Sequence, residues 1–253
     1  MLPEPARSAA HETSVTGLLA GWVAFGGFWG GWGALLPAVK AGTGSSDGQL
    51  GVALLCIAAA APVMPLAGRA FDRIGSQLLP AALAGFAAAI ALLGAAESPP
   101  QLMLLLAVLG AASGTADVAL SAAVTSVEAA RGAPLMAAAH ATLAAAGLVG
   151  AACVGAARDW SVGRLELLLA LAGLVALAAV GNAGAPRRRP TLAPDGRSHR
   201  IPVSRALLLL GTLGGLAYLI ENGLGQWSAL QLETTLAPTR FSVASRPVCC
   251  PPR

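Results

Sequence analysis

One carboxylate stands inside a long run of small and apolar residues. Asp117 lies within residues 102–124, 11 residues before Glu128, which is roughly 16 Å along a helix axis. If that run crosses a bilayer, the carboxylate lies in hydrocarbon, where it must be protonated, paired or open to water. A group in that situation can gain and lose a proton, so Asp117 is predicted to bind protons. A purely structural hydrogen bond or ion pair is the alternative.

A histidine follows Asp117 at a spacing that lets the two meet. His140 comes soon after the turn formed by residues 131–134. Two antiparallel helices joined at that turn place His140 within about four residues of Asp117 in depth. Because imidazole changes charge near neutral pH, His140 is predicted to relay a proton or to bind a substrate together with Asp117. A buried histidine bonded to a backbone carbonyl is the equal alternative.

A second polar group lies in the last apolar run, where Glu221, Asn222 and Gln226 accompany two glycines. Glycines beside polar side chains are typical of a membrane helix that is loosened at a wet cavity. These side chains are predicted to contact a small polar solute, and the ring of Trp32 to stack on it. The alternatives are solvated residues beside an interfacial Trp227 and a Trp32 that only packs.

No other chemistry is indicated. Of four cysteines, two lie in apolar runs and two are adjacent near the C-terminus, which predicts neither a disulfide framework nor a metal site. No nucleophile elbow, zinc motif or phosphate loop occurs. A retinal pigment needs a lysine in its last helix, whereas the only lysine is Lys40. We predict no enzyme activity, no metal, no cofactor and no nucleic-acid partner.

The candidate residues must be held by helices in a membrane. Apolar residues make up 56% of the 253 residues and charged residues 11%, which is too little charge to cover a soluble domain. The apolar runs are long enough to cross about 30 Å of hydrocarbon as helices, and lipid offers the backbone no other partner. The predicted fold class is an all-α integral membrane protein. Its seven predicted segments are 16–36, 49–67, 78–96, 102–124, 135–157, 165–181 and 206–230.

Basic residues predict the orientation of these segments. With a cytoplasmic N-terminus, ten basic residues before the C-terminal tail fall inside, and only Lys40, Arg158 and Arg164 fall outside. Positive residues favour the cytoplasmic side, which also explains the net charge of +4. We predict a multi-pass protein of the cell (inner) membrane with its N-terminus in the cytoplasm.

Glycines recur at a spacing of four residues within the predicted helices. Such pairs let helix backbones approach closely in lipid, where hydrophobic attraction between helices is weak. Helix packing is one interpretation, and glycines that let helices rock against each other is the second. The pairs are Gly26/Gly30, Gly27/Gly31, Gly110/Gly114 and Gly211/Gly215.

An arginine- and proline-rich segment divides the chain. Residues 1–184 are predicted to form an N-terminal six-helix half, and residues 185–204 a cytoplasmic linker between halves. Residues 205–232 are predicted to form a seventh transmembrane helix that begins a second half. Residues 233–253 lack periodicity and are predicted to be an irregular, aberrant tail.

A short loop after the second segment reads Gly68-Arg-Ala-Phe-Asp72-Arg73-Ile-Gly75. It resembles the signature loop between helices two and three of the major facilitator superfamily, roughly G-x-x-x-D-R-x-G-R-R/K, although the final basic pair is absent. The resemblance implies a conformational latch formed by Gly68, Asp72, Arg73 and Gly75. Asp72 would stabilise the positive start of the next helix, and Arg73 would bond a carboxylate. The alternative is a loop whose charges only set orientation.

The fourth segment adds to this resemblance. The run from Gly110 to Ser121 is similar to helix four of the fucose-permease-like branch of that superfamily, where a carboxylate is implicated in proton coupling and sugar binding. Asp117 falls on that position, while Ser121 stands where the branch usually has Asn. The carboxylate that the branch carries in helix one is absent here. The run from His140 to Gly150 resembles the branch's fifth helix.

The resemblance implies a major-facilitator-type helical bundle and proton-coupled secondary transport of a small polar solute such as a sugar. The implied partners are the lipid bilayer, the solute and protons. The family has about 12 helices in two halves, so we expect a truncated reading of a longer gene, an incomplete transporter and a missing second half as a further partner. The alternative function is a non-transporting or split-half membrane interaction module.

Overall fold

The structure is a computed structural model that describes residues 4–184 and 204–235. Within these ranges all regular elements are helices, which confirms the predicted all-α class. The 3-10 turns Ile57–Ala59 and Gly75–Gln77 follow the second and third helices. The α-helices are α1 (Glu4–Thr43), α2 (Asp47–Cys56), α3 (Ala60–Ile74), α4 (Leu78–Leu93), α5 (Pro99–Arg131), α6 (Met136–Asp159), α7 (Arg164–Ala183) and α8 (Arg205–Thr235).

The predicted apolar segments fall mainly on these helices, and four helical stretches of the described ranges are long and apolar enough to cross a membrane. Shorter apolar helices cover Leu78–Leu93 and Arg205–Ala217. The chain is thus a helical membrane protein, while the crossing of the bilayer by all seven segments stays a prediction. The four membrane-length stretches are Asp47–Ile74, Pro99–Arg131, Met136–Asp159 and Arg164–Ala183.

The second predicted segment is interrupted, because the 3-10 turn Ile57–Ala59 separates α2 from α3. Pro62 and Pro65 follow this turn at once; each lacks an N–H donor, and each ring crowds the carbonyl group one turn earlier. Gly110 of α5 packs directly on the turn, since a Cβ added there would overlap the carbonyl of Ile57. The break is therefore a site of close helix contact.

The backbones of α1 and α6 touch along a row of glycines. A Cβ added at Gly26 would overlap the backbone of Leu143, and one added at Gly30 would overlap the backbone of Gly147. Gly150 of α6 makes the reciprocal contact with α1. Because the partner positions rise together in sequence, the two helices run parallel. Helix packing is thus the observed role of these glycines, and rocking stays a hypothesis.

Aromatic side chains from α1 and α4 fill the core of the bundle. Trp22, Phe28 and Phe86 are fully buried, and the ring centroids of Phe28 and Phe86 lie 4.9 Å apart, edge to face. Phe25 adds a contact to Phe86 with centroids 5.4 Å apart. Edge-to-face aromatic pairs add specific attraction to their burial, so this cluster fixes α4 against α1.

Three basic residues tie one end of the bundle. Lys40 at the end of α1 forms an ion pair with Asp47 at the start of α2. Arg158 at the end of α6 donates to the carbonyl of Ala34 at 2.7 Å, and Arg164 at the start of α7 donates to a carbonyl at the end of α4 at 3.3 Å. These are the three basic residues predicted to lie outside, and they share one end. The side of the membrane that this end faces stays a prediction.

The chain divides into two compact units, residues 1–201, which contain α1–α7, and residues 202–253, which contain α8. Residues 185–203 of the predicted linker and residues 236–253 of the predicted tail lie outside the described residues. The predicted domain boundaries therefore stay predictions.

Candidate functional site

Asp117 and His140 lie at the same depth in the bundle, and α1 shows this. Gly21 of α1 packs on Leu120, one turn from Asp117 on α5. The next residue of α1, Trp22, contacts His140 on α6, with ring centroids 5.0 Å apart. His140 lies close enough to Asp117 for the two side chains to interact electrostatically. Three helices thus bring the predicted acid and the predicted base to one level.

The carboxylate of Asp117 is half-buried on α5. Within the described part of the chain it makes no hydrogen bond and no ion pair. Thr115, close by in sequence, turns its hydroxyl to the Ala111 carbonyl of its own helix at 2.8 Å. A carboxylate without such partners in a membrane helix carries a large desolvation cost unless water, a proton or a ligand reaches it. The site can therefore take up one of these three.

The imidazole of His140 is exposed on α6 and is fixed by its own helix. Its Nδ1 lies 3.1 Å from the carbonyl oxygen of Met136. Since a carbonyl only accepts, the neutral ring carries its hydrogen on Nδ1. Nε2 makes no hydrogen bond to a described residue and remains the nitrogen that can accept a proton. The sequence offered a relay or a buried carbonyl-bonded histidine; the structure has the carbonyl bond on an exposed ring.

Glu128 fixes the connection between the two site helices. Its carboxylate oxygen accepts hydrogen bonds from the backbone N–H groups of Leu135 at 2.5 Å and Met136 at 2.7 Å. These N–H groups belong to the start of α6 and have no partner within the helix. Gly132 ends α5 with a φ of 68°, in the left-handed region that favours glycine. This capping role of Glu128 was not predicted, although an acid just before a tight turn and a helix start is a capping signal.

Asn182 is a second residue whose role the sequence analysis missed. Its amide is buried on α7 and donates to the Gly17 carbonyl of α1 and to the Ala178 carbonyl of α7, both at 2.8 Å. A single amide in an apolar segment is the signal that would have found it, because such a group must be satisfied within the bundle. Asn182 holds α7 to α1.

Trp32 does not join this site in the described residues. Trp32 is fully buried and stacks on Phe28 with centroids 6.4 Å apart, so it offers no ring face to a solute in this conformation. Glu221, Asn222 and Gln226 belong to α8 by their backbone, and their side chains lie outside the described residues. Their predicted contacts with a solute stay predictions.

The loop motif lies at the end of α3. Asp72 and Arg73 are exposed in its last turn, and Gly68 is half-buried with nothing within 4 Å of an added Cβ. Gly75 adopts a φ of 65° and is the residue at which the chain reverses into α4. Gln77, at the start of α4, makes no side-chain cap. The latch role of the motif stays a prediction.

The exposed faces of α6 and α7 differ in chemistry. On α7 the most exposed large side chains are Leu177 and Val180. On α6 Leu148 and Val149 are exposed near the middle of the helix, and His140 is exposed near its N-terminal end. An apolar face suits lipid, whereas an ionisable side chain in a membrane helix faces a bundle interior or water. We therefore expect the face around His140 to meet water rather than lipid.

An open groove of about 490 Å³ lies between α4 and α7. Its walls consist of alanine, leucine, glycine and valine side chains. It offers no polar group to a polar solute, so it is not a second candidate for the solute site.

Two known proteins are similar to this chain. A protein of Yersinia pestis described as an uncharacterized MFS-type transporter is 29% identical over 210 residues, which cover 80% of this chain and 53% of that protein. An uncharacterized transporter of Sinorhizobium fredii is 32% identical over 138 residues, which cover 54% of this chain and 37% of that protein. The chain spans about half the length of the first relative and less of the second.

No family model and no solved structure matches the chain. The two similarities agree with the apolar helices described above. The chain is a multi-pass helical membrane protein that is similar to MFS-type transporters.

Proposed function

We propose that this chain is the N-terminal six-helix half, with a seventh helix, of a major-facilitator-type secondary transporter that moves a small polar solute together with protons. The observation that carries the proposal is the meeting of Asp117 and His140 at one depth, in helices of a protein similar to named transporters. An acid and a base inside a membrane protein are characteristic of proton pathways. Asp117 holds the transported proton, and His140 exchanges it with water.

The face that carries the pair supports an aqueous route. His140 is exposed on α6 and Asp117 is half-buried on the adjoining helix, so both are within reach of a solution that fills a crevice beside α5 and α6. The polar solute, with a sugar as the leading class, binds in this crevice. Glu221, Asn222 and Gln226, which the sequence places together on α8, are the further residues that we propose to hydrogen-bond the solute. The fucose-permease-like branch is the part of the superfamily to which we assign the chain.

The loop after α3 serves as the conformational latch. Asp72 and Arg73 are exposed, and in the described ranges neither side chain has a hydrogen bond or an ion pair. Two opposite charges held at a helix end without partners are free to bond a second helical half in one state of the cycle and to release it in another. With the latch on that side, we propose that the loop and the N-terminus lie in the cytoplasm and that the protein lies in the inner membrane.

A proton-flux assay tests the proposal. The chain is reconstituted into liposomes that contain a pH-sensitive dye, alone and together with a candidate second half, and a panel of neutral monosaccharides is added. We expect monosaccharide-dependent proton entry in the complete pair. Asp117→Asn should abolish it, because the amide cannot be protonated, while Asp117→Glu should retain part of it.

The controls separate coupling from folding. Asp117→Asn and Asp117→Glu should insert to the same level and give the same helical circular dichroism as the original chain. Proton entry that survives Asp117→Asn unchanged would refute the role of Asp117. A chain that binds a second half and supports no flux with any partner would favour the split-half interaction module.

A further inference from the structure

Trp22 and His140 form a contact that the proton pathway proposed above does not yet use. The Trp22 side chain is fully buried, and its ring lies at 41° to the imidazole with centroids 5.0 Å apart. The imidazole is therefore covered by the indole on one side and open on another. A cation over an indole face at this distance is attracted by the ring quadrupole.

Two contacts position the His140 ring: a hydrogen bond at Nδ1 and the packing of the Trp22 indole against the ring. Nδ1 is bonded to the Met136 carbonyl, which fixes the ring's inner edge. The indole Nε1 of Trp22 is buried and has no hydrogen-bond partner among the described residues. Trp22 is thus placed by packing, and what it presents to His140 is its ring.

The charged groups near His140 both belong to α5. Asp117 of α5 interacts with it electrostatically, and Glu128 of α5 lies at the start of α6, with its oxygen bonded to the backbone N–H of Met136. The membrane part of α1, residues 16–37, carries no titratable group. The other charges of α6, Arg158 and Asp159, lie at its far end.

We propose that Trp22 is the positioning residue of the proton site, holding the imidazolium of His140 by a cation–π contact so that its positive charge faces Asp117. Nε2 takes its proton from water in the crevice, and the charge that forms is shared between the indole face and the carboxylate. The functional role of this contact rests on the proposed proton pathway. The contact itself is measurable without transport.

Nuclear magnetic resonance on the full chain tests the contact. The chain contains three histidines, so ¹⁵N-histidine labelling in nanodiscs gives few signals, and His140→Gln identifies those of His140. We expect the neutral ring to show the Nδ1–H tautomer and ring protons shifted upfield by the indole. Trp22→Phe should keep part of that shift and Trp22→Leu should remove it. Trp29→Leu, two turns along the same helix, is the matched control and should leave the His140 signals unchanged.

The transport readout is separate. Trp22→Leu should slow proton-coupled flux about five- to tenfold, the factor that corresponds to a partly desolvated cation–π contact, and Trp22→Phe should restore most of it. His140 signals that ignore Trp22→Leu, or that show the Nε2–H tautomer, would overturn the inference whatever the flux. If Trp22→Leu does not fold, the test is Trp22→Phe: a reduced upfield shift of the His140 ring protons supports the inference, and an unchanged shift contradicts it. If the NMR signals show the contact but proton flux is insensitive to Asp117→Asn, the proposed proton pathway is wrong and the contact between Trp22 and His140 is still supported.

Discussion

At the scale of single residues, the chemistry of an exposed side chain depends on whether it meets water or lipid. Asp117 and His140 are proposed to meet an aqueous crevice, whereas Leu177 is 72% exposed on α7 and is expected to meet lipid. Exposure in the bundle alone does not distinguish water from acyl chains. The identity of the exposed side chain does, because an ionisable group is not stable against hydrocarbon.

Cysteine labelling measures this distinction. In a variant without the four native cysteines, Asp117→Cys and His140→Cys should react with a charged thiol reagent, because the thiolate forms only where water reaches it. Leu177→Cys is the matched control and should stay unlabelled despite its exposure. Labelling at Leu177 with none at Asp117 would place the crevice on the wrong face.

Asn182 makes a second prediction at this scale. Asn182→Leu removes the bond to the Gly17 carbonyl and should lower the free energy of unfolding by about 1 kcal/mol, measured by thermal unfolding in detergent. Thr142→Val is the control, because the Thr142 hydroxyl bonds only the Ala138 carbonyl within its own helix. Equal losses in the two variants would show that the link between helices adds nothing.

At the scale of elements, glycine spacing decides which helices touch. The sequence predicted close approach from Gly26/Gly30 but could not name the partner, since that depends on the register of α1 against α6. The same register produces the contact between Trp22 and His140, so no spacing within one segment reveals it. The interruption of the second segment was missed for another reason: the length of an apolar run says nothing about prolines inside it.

A pair of alanine substitutions tests the glycine interface. Gly30→Ala should destabilise the bundle by about 2 kcal/mol, as overpacking does, because its Cβ would overlap the Gly147 backbone. Gly147→Ala lies in the same interface, but its Cβ would be 3.6 Å from the nearest atom, an ordinary contact, so it should be nearly neutral. Unfolding followed by circular dichroism in detergent compares them. The reverse order would contradict the described packing.

At the scale of the whole molecule, composition alone settled the class, because so few charges leave no soluble alternative. In the part of the chain that the structure describes, four of the seven predicted segments lie on helices that meet the length and apolarity that a span requires. The first segment is rich in glycine and tryptophan, and α4 has only 16 residues. Such segments rely on neighbours in the bundle, which a single-segment criterion does not consider.

Reporter fusions test the orientation. Alkaline phosphatase is active only outside the cytoplasm, so fusions after Ser45, Ala96 and Ser161 should be active, while fusions after Gly75 and Gly132 should be inactive. Equal expression of all five, measured by immunoblot, is the control. The inverse pattern would reverse the assigned orientation and place the Asp72 loop outside.

The joining of α1 to α6 at three heights has a mechanical consequence. The hydrogen bond from Arg158 to the Ala34 carbonyl, the interlocked glycines and the contact of Trp22 with His140 all join α1 to α6. We therefore expect the two helices to move as one rigid unit, without sliding past each other. A disulfide staple across this unit should leave a working cycle undisturbed. Flux that is abolished by such a staple would show that α1 and α6 must move against each other.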